Sequence, residues 1–310
     1  MKHVVITDCD HGDVDRELAL LAPHARVTVA DCRTEEEVLA VAADADAIIC
    51  QYAPISARVL AGLRRCRVVV RYGIGYDTID ATAATAYGIP VCNVPDYCVA
   101  EVADHALALA LLLLRGIGPL ARSVRAGEWD YRAAGPLRRT GTLTVGVVGY
   151  GRIGAAFAGR VRALGATVLA ADPRPLPDDV PQVPLDELLS LCDLVSLHVP
   201  GGGVILGERE FGLMRPGSCL VNVSRGSLVD ERALLGALDR GVVRGAALDV
   251  LHDEPPSDRT LVTHERVVVT PHSAWYSEEA LHTLKDSVAL EVLRVLRGEA
   301  PRNAVNRVPA

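Results

Sequence analysis

The sequence predicts an α/β protein of two doubly wound parallel-sheet domains, the second inserted into a discontinuous first. Short β-rich runs alternate with amphipathic helical segments from the first residues, the pattern of βαβ units. That alternation completes one series of strands by about residue 95 and restarts after residue 141 with a longer series. The last helical segment, about 277–297, carries Leu281, Leu284, Val288, Leu290, Val292, Leu293 and Leu296. So much apolar surface does not suit a solvated tail, and the segment is expected to pack back on the first domain. The expected bounds are 1–98 with 279–310 for one domain and 99–278 for the other, and 310 residues exceed one ordinary core.

In order, strands are expected at Val4–Thr7, Arg26–Ala30, Ala47–Cys50, Arg67–Arg71 and Ile89–Asn93, runs rich in β-branched residues with helical segments between them. A long apolar helix follows from Val99 to Leu114. An irregular stretch, 116–141, rich in Gly, Arg and Pro, leads into strands at Thr142–Val148, Thr167–Ala171, Leu194–His198, Cys219–Val223, Ala246–Val250 and Val267–Thr270.

Composition excludes several function classes. Hydrophobic residues make up 50%, charged residues 23% and aromatics only 4%, so the chain is globular with aliphatic cores. A net charge of -7 argues against a general binder of nucleic acid or anionic membrane. Eight cysteines are scattered with no Cys-x-x-Cys pair, mostly in apolar runs, which points to a reducing, cytoplasmic setting and no structural metal. The start of the chain enters a strand without the apolar core of a signal peptide. The apolar run Ala106–Leu114 is about half of the roughly 20 residues a membrane span needs, so a buried helix is expected there.

Gly149-Tyr150-Gly151-Arg152-Ile153-Gly154 follows the apolar strand end Val145–Val148 and opens a helix over 152–164. Gly149 permits a tight turn, Gly151 lets a pyrophosphate approach the backbone, and Gly154 lets helix and strand pack closely. Asp172 closes the next strand, where an acidic side chain accepts hydrogen bonds from ribose hydroxyls and repels a 2′-phosphate. NAD is therefore favoured over NADP, with Arg174 nearby as a residue able to cradle a phosphate. Six strands complete a dinucleotide-binding sheet of this kind.

Arg225, Glu254 and His272 each stand at or just past the carboxyl end of an expected buried strand, where open α/β sheets place their chemistry. Arg225 presents a planar fork suited to a carboxylate. Glu254, hydrogen-bonded to one ring nitrogen of His272, would stabilise imidazolium and leave the other nitrogen to exchange a proton with a carbonyl oxygen. In the first domain, Arg71-Tyr72-Gly73-Ile74-Gly75 follows a strand, and its small residues expose backbone N–H groups to an anion.

On these residues, and on Thr270-Pro271-His272-Ser273-Ala274-Trp275-Tyr276-Ser277, the chain resembles the D-isomer-specific 2-hydroxyacid dehydrogenases from about Arg67 to its end. Within them it is similar to the branch containing the C-terminal-binding-protein corepressors. The resemblance implies a Rossmann NAD-binding domain inserted into a discontinuous flavodoxin-like substrate domain, and reduction of a small 2-keto acid to a D-2-hydroxy acid by NADH. It assigns the substrate carboxylate and carbonyl to Arg225 and the proton to His272, with Glu254 as its partner. It gives substrate contacts to Arg71, Tyr72, Gly73, Ile74 and Trp275, core packing being the alternative for Trp275. Asp249 would hold the nicotinamide carboxamide or, alternatively, cap the following turn. Val199, Pro200, Val223, Ser224, Arg225, His272 and Ser273 would line the cofactor cleft, while His198 is expected to be structural. A homodimer through the 99–114 helix and the 116–141 arm is implied, and so is a non-catalytic NAD-sensing scaffold as the alternative function.

The chain departs from the family pattern after Pro200, where Gly201-Gly202-Gly203 replaces a longer polar stretch and weaker cofactor binding is expected. A rival motif, Val4–Asp10 with its Asp-x-Asp, imitates phosphatases with an aspartate nucleophile. That chemistry also wants a lysine near the phosphate, and Lys285, in the last helix, is badly placed for it. Asp8, Asp10, His11 and Asp13 are expected to form a solvated loop with capping roles.

Overall fold

Buried β-branched runs and capped helices alternate along the chain, and the computed structural model describes residues 1–308. The first stretch holds β1 (Lys2–Ile6), α1 (Asp15–Leu21), β2 (Ala25–Val29), α2 (Glu35–Ala42), β3 (Ala47–Cys50), α3 (Ala57–Gly62), β4 (Val69–Arg71), α4 (Ala81–Ala86) and β5 (Val91–Cys92). Then come α5 (Val99–Leu114), α6 (Ile117–Arg125), β6 (Thr144–Val148), α7 (Arg152–Ala163), β7 (Thr167–Ala171), α8 (Leu185–Leu191), β8 (Leu194–Leu197), α9 (Glu208–Leu213) and β9 (Ser218–Asn222). The chain continues through α10 (Glu231–Asp239), β10 (Val243–Leu248), α11 (Thr260–Thr263), β11 (Val267–Val269) and α12 (Glu278–Leu296). It divides into two units, Met1–Tyr97 with the segment from Ser277 onward, and Cys98–Tyr276.

In the first unit five parallel strands take the order β2-β1-β3-β4-β5. Every residue of β3 is fully buried, as expected of a parallel strand covered on both faces. Local chemistry starts the helices: Thr34 and Glu37 form a reciprocal capping box on α2, and Asp80 and Ser277 accept N–H groups of α4 and α12. β5 is shorter than expected because Pro90 has no N–H to add to the ladder, although its carbonyl accepts from Val69. α12 packs on α1, β3 and β4 with Leu284, Val288, Val292 and Val295 inward. Leu290, expected on that apolar face, is instead 53% exposed.

The second unit holds six parallel strands in the order β7-β6-β8-β9-β10-β11. Its strand order reverses between β6 and β8, and in such sheets the crevice beyond the strand ends at that switch point receives the ligand. α5 buries Val102, Ala103, Ala106, Leu109, Ala110 and Leu114 in the core shared with α7 and the inner strands. The 116–141 stretch is not irregular throughout: Gly116, at φ +59, ends α5, and α6 begins directly after it. Pro119 hides this helix from the sequence pattern, yet it sits in the first turn, where a missing N–H costs nothing. Among the described residues no single helix is long and apolar enough to cross a membrane, and no cluster of His, Cys, Asp and Glu could hold a metal.

The loop after β1 differs from the sequence expectation. Asp8 is not solvated but 1% exposed, and its carboxylate accepts the N–H groups of Gln51, Tyr52 and Ala53 and the Thr7 hydroxyl. Lys285 is buried against this loop, donating to the Asp13 carbonyl and lying 3.6 Å from the Asp13 carboxylate. A lysine therefore does stand near the Asp-x-Asp, but Asp8 is spent on binding the loop together and is no nucleophile.

Candidate active site

In the second unit the glycine loop is shaped by close backbone approach. Gly149 has φ +88, and a Cβ there would lie 2.6 Å from the His198 carbonyl oxygen. A Cβ on Gly154 would lie 2.1 Å from the Gly149 oxygen, so only glycine lets α7 begin this near the loop. At Gly151 an added Cβ would meet nothing within 4 Å, and the start of α7 has no side-chain cap. An open approach to uncapped N–H groups at a helix start suits an anion. Tyr150, Arg152 and Ile153 complete this turn, and the Tyr150 N–H donates to Asp172 at 2.8 Å.

Asp172, just past β7, has a side chain only 3% exposed. Arg174 curls back to pair with it bidentately at 3.0 and 3.1 Å. This guanidinium, against the cost of burial and with help from the Arg174 and Tyr150 N–H groups, draws the Asp172 carboxyl from 3.8 to about 2. Arg174, a possible phosphate cradle by sequence, is thus bound to the Asp172 carboxylate. Val199 packs near Gly149, Pro200 is exposed, and the Gly201–Gly203 loop holds Gly202 and Gly203 at positive φ.

At the end of β9, Asn222 organises the turn that carries Arg225. Its carboxamide donates to the Arg225 carbonyl at 2.8 Å and accepts from the Ser224 N–H at 3.0 Å. The Ser224 hydroxyl in turn donates to Leu197 O, and Val223 is packed at the core edge. Asn222 was not singled out in the sequence, although an Asn two residues before a Ser in a turn is a local signal for this bonding.

His272 and Glu254 meet directly, with Nδ1 and Oε2 2.7 Å apart. A carboxylate only accepts, so Nδ1 carries the hydrogen and Nε2 is the nitrogen not engaged by Glu254. Glu254 is fixed by the Leu251 N–H on Oε1 at 3.0 Å. Burial pushes the Glu254 carboxyl up, but the His272 hydrogen bond and charge, the Leu251 N–H and the Arg225 charge together hold it below its usual value. Among the described residues His272 is the only non-glycine residue with positive φ, at +51, an uncommon conformation that the surroundings must hold. Trp275 is half-buried and meets Tyr276 edge-on at 5.5 Å.

Asp249, 1% exposed, is committed to the loop around His272. Oδ1 accepts from Thr270 at 2.6 Å and from the Ser273 N–H at 2.9 Å, and Oδ2 from the Ala274 N–H at 2.9 Å. These bonds cap the turn that carries His272.

In the first unit Arg71 ends β4 and Gly73, at φ +111, lies under its guanidinium, where a Cβ would come 2.2 Å from Nη1. The Ile74 carbonyl accepts from Asn93. Tyr72 is a correction: its side chain is 1% exposed and donates to buried Glu17 at 2.7 Å, and its N–H is bound to Cys50 O. Strand alternation turns it into the core, opposite to Arg71, and its side chain is not available to a substrate.

Residues 107–274 match the family described as D-isomer specific 2-hydroxyacid dehydrogenase, NAD binding domain. The chain is 36% identical to a D-3-phosphoglycerate dehydrogenase of Methanocaldococcus jannaschii over 99% of its length, but spans only 60% of that protein. It is 39% identical to a glyoxylate reductase of Korarchaeum cryptofilum, over 85% of this chain and 83% of that one. Among solved structures, D-lactate dehydrogenase from Aquifex aeolicus complexed with NAD and lactic acid aligns with a TM-score of 0.87 at 27% identity, covering 96% of both chains.

Proposed function

Because the chain belongs to the D-isomer-specific 2-hydroxyacid dehydrogenases, and carries that family's NAD-binding domain, we propose that it is an NAD-dependent oxidoreductase interconverting a small 2-keto acid and its D-2-hydroxy acid. The His272–Glu254 pair at 2.7 Å, beside Arg225 and in the same unit as the glycine loop, is the observation that carries this reading. The three relatives above are two dehydrogenases and a reductase, which favours the enzyme over the non-catalytic scaffold.

The open approach over Gly151, the uncapped start of α7 and the ribose-site carboxylate of Asp172 fit a dinucleotide. Bound NADH supplies the hydride. Arg225 pairs with the substrate carboxylate and turns its carbonyl toward His272, whose Nε2 delivers a proton to the oxygen as negative charge develops there. Glu254 stabilises the imidazolium through Nδ1. The family resemblance assigns the carboxamide to Asp249, and Val199, Pro200, Val223, Ser224 and Ser273 to the cofactor cleft. Arg71, Gly73, Ile74 and Trp275 are assigned to the substrate by the family resemblance, Tyr72 now through position alone.

We also propose a homodimer formed through the arm after α5. Trp129 is 92% and Tyr131 84% exposed there, beside half-exposed Ile117 and Val124 on α6, a concentration of apolar surface that monomers seldom leave bare. A cytoplasmic setting accompanies this proposal, in keeping with cysteines scattered without a Cys-x-x-Cys pair. Purified protein mixed with NADH and a panel of 2-keto acids should lose absorbance with at least one; bound NADH without turnover on any would overturn the enzymatic reading. Light scattering that gives a monomer would overturn the dimer.

A further inference from the structure

His272 keeps an uncommon backbone conformation, and the bonds that hold it continue away from the reacting groups. Asp249 binds the N–H groups of Ser273 and Ala274, and its carbonyl accepts from the His272 N–H at 2.8 Å. Thr270 donates its one hydroxyl proton to Asp249 at 2.6 Å. His105, on the α5 face toward β10 and β11, places Nε2 3.1 Å from the same hydroxyl oxygen and 3.6 Å from the Asp249 carboxylate. Because the Thr270 proton is committed, the hydrogen between His105 and Thr270 comes from the ring, so His105 carries it on Nε2. The chain His105 to Thr270 to Asp249 then runs in one donor direction and ends on the Asp249 carboxylate, which also accepts the two N–H groups that follow His272.

We infer that His105 is a positioning residue for the proposed reaction: its Nε2–H fixes the Thr270 hydroxyl toward Asp249 and so holds the left-handed His272 backbone with its ring on Glu254. The inference rests on the dehydrogenase reading for its kinetic consequence but not for its structural one. Without the ring donor the Thr270 hydroxyl is held by Asp249 alone and no longer from the α5 side, so the buried Asp249 network loosens. Outer partners of metal-ligating histidines are worth about tenfold to a hundredfold in activity, and the lower end of that range is expected for this metal-free case.

The test uses two readouts on the full chain. In long-range ¹H–¹⁵N spectra of the histidine rings, His105→Ala should move the His272 resonances, identified by their loss in His272→Gln, while His105→Gln, whose amide donates from the same place, restores them. In turnover, His105→Ala should lower kcat about tenfold with KM for NADH unchanged, and His105→Gln should recover most of it. Thr270→Val should reproduce the Ala defect, and the double variant should be no worse than either single one. His272 resonances unmoved in His105→Ala, or losses that multiply in the double variant, overturn the inference. If His105→Ala does not fold, Thr270→Val with unmoved His272 resonances overturns it instead. Moved resonances in a protein that turns over no keto acid sink the dehydrogenase reading and leave the positioning role supported.

Discussion

Gly226→Ala separates the geometry of the Glu254–His272 pair from cofactor binding. An added Cβ would lie 1.9 Å from the Leu251 carbonyl carbon, 2.0 Å from its oxygen and 2.4 Å from the His252 nitrogen, all backbone atoms that no rotamer change can move aside. Ordinary contact begins at 3.4 Å, so the Leu251–His252 backbone must retreat by about 1.5 Å if it alone yields. Leu251 is also the residue whose N–H fixes Glu254, so the carboxylate moves with it and off His272. Overpacking of this kind costs about 1–3 kcal/mol, or a Tm lowered by roughly 2–12 °C at 2–4 °C per kcal/mol. A misplacement of about 1 Å costs about 100-fold in rate. Stopped absorbance assays on the best keto acid, fluorescence titration with NADH and calorimetry should therefore show kcat down about 100-fold, NADH affinity nearly unchanged and Tm lowered. A kcat within threefold of wild type, with Tm lowered, would refute the claim that this seam sets the pair's geometry. Gly151→Ala is the complementary change: with nothing within 4 Å of the new Cβ, Tm should hold while NADH binding weakens.

Three further outcomes follow from charges in the second unit. Arg174→Ala frees the Asp172 carboxylate for ribose hydroxyls and removes the cation paired with it, which could serve a 2′-phosphate, so the preference for NADH over NADPH should widen; equal titrations of both cofactors before and after would contradict this. His198 lies beside Phe157 at 5.0 Å with Nδ1 buried and unpartnered, and burial takes its ring from 6.5 down to about 3. The unfolded chain therefore binds a proton below 6.5 that the fold does not. Stability should fall by at most about 2 kcal/mol from this group between pH 8 and pH 5, and a His198→Asn variant whose urea midpoint falls just as steeply would show that another group is responsible. Glu254, held below its ordinary 4.5, contributes stability above that value that is lost as pH falls through its lower folded value. Wild type and Glu254→Gln should accordingly converge in urea midpoint at acid pH while differing at pH 7, and kcat at pH 7 should be down by about 100-fold or more in the variant.

Several features were legible because they are local. The glycine loop between an apolar strand and a helix is signalled by adjacent residues, and the structure finds it at the turn expected, although the contact that forbids a side chain at Gly149 is with distant His198. α5 appears over Val99–Leu114 as its apolar run implies. α6 was lost because Gly118 and Pro119 look like breakers unless the helix start is known. The Arg174–Asp172 pair spans only two residues, yet the sequence offered two uses for Arg174 and no means of choosing between them.

By itself the sequence determined two parallel sheets, the glycine turn and the arrival of Arg225, Glu254 and His272 at strand ends, because hydrophobic period and turn chemistry act over a few residues. Only the tertiary structure decided what each polar side chain touches. It turned Tyr72 onto Glu17, 55 residues away, put Lys285 against Asp13, 272 away, and spent Asp8 on the loop after β3. It made Asp249 the hub between Thr270 and the His272 loop. A buried polar group must find a partner wherever the packed chain brings one, and that choice is made by the whole fold.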